Sequence, residues 1–120
     1  MADRVLFISW GMTVRGREER ALEVFNETVG MYGRMQQDGR IEGFDVVLLS
    51  PNGGVDGYLL VHGSPEQMAA LREDPEFIRA AADATLIVDD FSIVDGYTGN
   101  GVAEQMAIYQ EAIAKVPQHA

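Results

Sequence analysis

The chain has 120 residues and a mass of 13.2 kDa, room for one domain and for a core that needs no staples. It holds no cysteine, which excludes disulfides, thiolate zinc sites, iron–sulfur clusters and cysteine nucleophiles. Nine basic residues against 19 acidic ones give a net charge of −10, a field that repels polyanions and argues against a nucleic-acid partner. No apolar run approaches the ~20 residues of a membrane span, and no basic start with a long apolar stretch marks a secretory signal. No membrane partner and a cytoplasmic location are therefore expected.

Residues 5–14 (VLFISWGMTV) are apolar at nearly every position, which predicts a strand covered on both faces. From residue 17 to 38 the period changes. Leu22, Phe25, Val29, Tyr32 and Met35 recur at spacings of three and four, the stripe of an amphipathic helix closed by Gly39. Strands are predicted over 44–50 and 57–63, joined by the turn formers Pro51, Asn52, Gly53 and Gly54. Ser64-Pro65-Glu66-Gln67 announces a helix with a capping box, and Asp74-Pro75 breaks it before a second helical piece over 75–84. A fourth strand is expected over about 86–95, reaching toward Tyr97. A last helix over 102–115 carries Val102, Met106, Tyr109 and Ile113 on one side.

The order is βαββαβ plus a helix, within a single domain spanning 1–120 whose core is about 4–98. It predicts an α+β, ferredoxin-like antiparallel sheet with the helices on one face. The uncovered face is not polar. Val5 and Phe7 alternate with Leu6, Ile8 and Trp10, and Leu59 and Val61 alternate with Tyr58, Leu60 and His62. Soluble monomers rarely expose so large an apolar area, so two sheets are expected to pair face to face in a homodimer.

In element order, doubly apolar strands and the segment 64–77 (SPEQMAALREDPEF), residues 4–98 resemble the dimeric α/β-barrel group of ferredoxin-like proteins. The resemblance implies a barrel of two sheets. The group includes cofactor-independent monooxygenases, isomerases and haem enzymes and has no universal catalytic motif, so the resemblance speaks to fold and pairing more than to chemistry.

Candidate site residues are few. His62, at the end of a central strand, is the one residue suited to acid–base work in a cavity and is the candidate catalytic group. Trp10, Tyr32, Tyr58 and His62 are the candidate ligand-binding residues, with Trp10 and Tyr58 as an aromatic wall for a flat ligand. Tyr58 and His62 share a strand face about 13 Å apart at ~3.3 Å per residue, too far to hydrogen-bond. Each of the four also has a plain packing use. Asp89 and Asp90 are consecutive, so in a strand they diverge; His119 falls in the tail; and no cluster has metal-ligand spacing. No metal or cofactor is therefore expected. The functional expectation is a homodimer binding a small apolar or aromatic ligand in an apolar pocket. The alternatives are a cofactor-independent monooxygenase or isomerase acting on an aromatic or enolisable compound, and a non-catalytic dimerisation module.

Overall fold

Four strands form one antiparallel sheet in the order β2-β3-β1-β4, built from β1 (Arg4–Trp10), β2 (Gly43–Leu48), β3 (Gly57–Gly63) and β4 (Ser92–Tyr97). The computed structural model describes residues 2–117, so His119 lies outside the described residues. Helix α1 (Glu18–Gln37) follows β1, and the segment between β3 and β4 holds α2 (Pro65–Glu73) and α3 (Pro75–Thr85). Helix α4 (Asn100–Ala114) follows β4. This is the α+β, ferredoxin-like arrangement expected from element order.

The local signals act as their chemistry requires. The Ser64 hydroxyl accepts from the Gln67 amide at 3.1 Å, and the Gln67 side chain accepts from the Ser64 amide at 2.8 Å. The Asp74 carboxylate accepts from the Glu76 amide at 2.9 Å. Asp74 thus ends α2 in an extended conformation and starts α3 in the same residue. Residues 49–56 form the turn between β2 and β3, where the Asn52 carboxamide bonds the backbone on three sides.

Three strand boundaries differ from expectation, the smallest at β2, which ends at Leu48 and not at residue 50. The predicted first strand runs on to residue 14, but β1 ends at Trp10. Beyond it, Gly11, Met12 and Val14 pair with Ile87 and Asp89 in a short irregular ladder around the Thr13–Val88 bridge. The predicted fourth strand starts at 86, but β4 starts at Ser92, because α3 continues to Thr85 and the chain then turns sharply at Asp90, φ +54°. Asp89 and Asp90 are therefore loop residues.

Register sorts the strand side chains into two faces. Leu6, Ile8, Leu59 and Val61 point toward the helices and are buried against Met31, Tyr32, Met35, Met68, Leu71 and Phe77. At roughly 1.5–3 kcal/mol for each fully buried aliphatic side chain, this layer is the main stabilising term. The opposite, open face carries Val5, Phe7, Tyr58, Leu60, Val47 and Val94; among the described residues α1, α2 and α3 pack on the other face, and α4 touches the sheet only at β4. Among the described residues no helix is long and apolar enough to cross a membrane.

Candidate functional site

The space between sheet and helices is not uniformly filled. At the end where β1 begins, α2 packs directly on β1 and β3, and Met68 and Leu71 close the layer. Toward the Trp10 end the roof is α1 and α3, and here the side chains stop short. Ala21 on α1 and Ala80, Ala81 and Ala84 on α3 face the sheet with only a methyl group each. The result is a cavity of about 340 Å³, within the range of small-molecule sites. Its floor is Ile8, Trp10, Leu48, Leu59 and Ile93, and Phe25, Phe77 and Phe91 supply further aromatic wall.

Trp10 anchors one end of this cavity. Its indole meets the Phe25 ring edge-on at 6.2 Å between centroids, a favoured aromatic arrangement. Tyr32 lines the inner end, 2% exposed, its ring 5.8 Å from that of Phe44. Burial raises the pKa of the Tyr32 phenol above its ordinary value. Polar groups in the lining are few: Thr13, Thr28, Tyr32 and the exposed Glu18. The Glu18 carboxylate accepts from the Gly16 amide at 3.0 Å, which holds the turn before α1.

The four sequence candidates divide into two pairs. Trp10 and Tyr32 both line the cavity. Tyr58 and His62 sit on the open face, on the other side of the sheet, so the structure does not bring them to Trp10 and Tyr32. A wall made jointly by Trp10 and Tyr58 is corrected for the same reason: successive strand positions alternate, and Trp10 pairs with Gly57 while Tyr58 pairs with Ser9. The Tyr58 ring stacks obliquely on Phe7 at 5.2 Å instead. His62 Nε2 lies 2.8 Å from an Asp45 carboxylate oxygen across the β2–β3 pair, a partner sequence spacing did not suggest.

Reading the sequence missed Phe25, Phe77, Phe91 and the alanines as cavity residues. The one available signal was the alanine run of α3, since small side chains on a helix that faces a sheet leave volume unfilled. Among the described residues no group of three or more His, Asp or Glu side chains is placed to hold a metal ion.

No family model matches the chain, and no curated protein matches it. Solved structures do. A dimeric protein of unknown function with a ferredoxin-like fold from Bacteroides fragilis is 16% identical, with a TM-score of 0.59, covering 79% of this chain and 96% of its own. A dimeric ferredoxin-like protein of unknown function from Jannaschia is 14% identical, with a TM-score of 0.59 and coverages of 79% and 98%. SnoaB, a cofactor-independent oxygenase from Streptomyces nogalater, is 16% identical, with a TM-score of 0.56 and coverages of 82% and 93%. About a fifth of this chain is left unmatched in each. At these identities the likeness is one of architecture, and it identifies the chain as a protein of the ferredoxin-like fold.

Proposed function

We propose that the chain is a homodimeric binding protein for a small apolar or aromatic molecule, held in the cavity between the sheet and helices α1 and α3. The observation that carries this reading is the cavity itself: about 340 Å³, floored by the sheet and lined almost throughout by apolar and aromatic side chains. Left empty, such a space forgoes dispersion contacts on every wall, so a ligand of matching shape gains them. Trp10 and Tyr32 are the binding residues assigned to it. The homodimer rests on the apolar open face and on the dimeric state named for the Bacteroides fragilis and Jannaschia proteins.

Binding is favoured over acid–base catalysis because the lining holds only two titratable side chains. Tyr32 is kept as the neutral phenol, and Glu18 stands exposed at the mouth. The candidate catalytic group His62 lies across the sheet, so a proton-transfer role for it requires a ligand on the open face.

Trp10 is the only tryptophan, so its emission reports on the cavity directly. Titration of the full chain with 1-naphthol is expected to change Trp10 emission saturably, with one molecule bound per subunit by native mass spectrometry. No saturable response to 1-naphthol or to the tricyclic anthrone would sink the reading.

A second reading is a cofactor-independent oxygenase acting on an aromatic or enolisable compound, favoured by the fold shared with the Streptomyces nogalater oxygenase. It is tested by oxygen uptake with anthrone, where many turnovers per subunit support it and no uptake above the protein-free rate removes it.

A further inference from the structure

Helix α4 keeps an apolar side turned to solvent. Val102, Met106 and Tyr109 recur at spacings of four and three, which aligns them along one side, yet they are 47%, 49% and 59% exposed. Within its own chain α4 packs mainly on β4, and Gly101, in the first turn, is its one buried residue.

The direction in which α4 leaves the domain is set by that first turn. The Thr98 amide donates to the Asp3 carbonyl at 3.1 Å. A Cβ at position 101 would stand 2.5 Å from the same carbonyl oxygen and 2.7 Å from Arg4 Nη1, so only glycine seats the helix there. From this seat α4 projects. The Cα radius of gyration is 17.2 Å and the longest extent 55 Å. A compact chain of this length would have a radius of gyration of about 14 Å.

A helix of 15 residues owes most of its stability in water to a face packed on something else. An anionic membrane is a poor occupant, because α4 carries Glu104 and Glu111 where surface-binding helices carry lysine and arginine. A second copy of the chain fits better, on area. Four strands spaced ~4.8 Å apart and six or seven residues long present roughly 400 Å² in projection. Each further stretch of apolar surface joined to this face adds to the ~800 Å² of accessible surface that a stable interface buries per partner. The helix leaves directly from β4, the strand that contributes Val94 to the open face, and adds a further ~200 Å² along its length of about 22 Å.

We propose that α4 is an arm that lies along a second copy of the chain, its Val102, Met106 and Tyr109 side completing the interface begun by the open sheet face. The inference rests on the homodimer proposed above, and the test separates the two.

Sedimentation velocity of the full chain is compared with the full-length variants M106E/Y109E and Leu60→Glu, which changes the open face alone. The arm requires that M106E/Y109E weaken dimerisation at least 100-fold with far-UV circular dichroism unchanged, since each dimer loses four apolar contacts. A dimerisation constant within threefold of the parent, with Leu60→Glu monomeric, overturns the arm and leaves the sheet pairing standing. A parent chain that is monomeric at all concentrations overturns both. Should M106E/Y109E lose helical signal, M106A/Y109A replaces it, with at least tenfold weakening expected and less than threefold refuting. As an independent readout, a photo-crosslinking residue at position 109 in mixed ¹⁴N and ¹⁵N protein is expected to yield mixed-isotope peptides. Same-isotope peptides alone refute the arm.

Discussion

The indole of Trp10 lies against Gly57 so closely that no methyl group fits between them: a Cβ at position 57 would stand 2.8 Å from the Trp10 Cζ2. The same Cβ would be 2.8 Å from the Val47 carbonyl oxygen, part of the β2 backbone, which cannot swing away as a side chain can. Gly57→Ala must therefore move both the neighbouring strand and the cavity's largest wall. We expect a loss of about 1–3 kcal/mol, the usual cost of overpacking a filled site. Urea unfolding checks this, and a shift of Trp10 emission in the folded variant should accompany it. Stability within a few tenths of a kcal/mol of the parent would mean that the strand pair yields freely.

Filling the cavity should have the opposite signature. Ala84 lines it from α3, and leucine there places three more carbons in unfilled volume instead of in packed core. Ala84→Leu is expected to weaken 1-naphthol binding at least tenfold while lowering stability by less than ~1 kcal/mol. Paired fluorescence titration and urea unfolding measure both. Unchanged binding would place the ligand elsewhere.

His62 supplies the complementary control. It stands on the open face beside Asp45, with the sheet between it and the cavity. Replacing it with leucine should leave 1-naphthol affinity within twofold of the parent. A tenfold loss in that titration would move the ligand to the open face and restore His62 as a site residue.

Tyr32 makes a prediction about pH. Its pKa is raised by burial above the unfolded value of about 10, so the folded state favours the neutral phenol. For a raised pKa the contribution to stability is fully present below the unfolded value and is lost as pH rises beyond it. Urea midpoints should thus fall as pH rises from about 10 to about 11 in the parent, and fall less steeply in Tyr32→Phe. Parallel curves for the two proteins would show that the phenol ionises without cost in the folded state.

The architecture was legible because its local signals agree with one another. The capping box at Ser64 and Gln67, the break at Asp74-Pro75 and the turn formers of 51–54 each mark a boundary within a residue or two of where it falls. The strand ends were less so. Val14 and Val88 have strand-like neighbours, yet their backbones pair only through an irregular ladder, because the left-handed Asp90 turns the chain before regular pairing resumes at Ser92. The candidate site was half legible. Trp10 and Tyr32 stand out by size, and both line the cavity. Tyr58 and His62 stand out as much, but alternation along β3 puts them on the other face. Alternation could have separated Trp10 from Tyr58 only with the pairing register in hand. The alanines that create the cavity carry no chemistry of their own, and their meaning depends on which way α3 faces.

The sheet's two outer strands, β2 and β4, each carry an aspartate near mid-strand: Asp45, with a side chain 65% exposed, and Asp95, 70% exposed. Asp45 lies on the open face beside His62 and Asp95 on the helix face beside Arg72, so each outer strand carries an exposed carboxylate. A fifth strand approaching either rim from another copy would meet like charge from a chain of net charge −10. Lateral growth into ribbons is thereby discouraged at both margins.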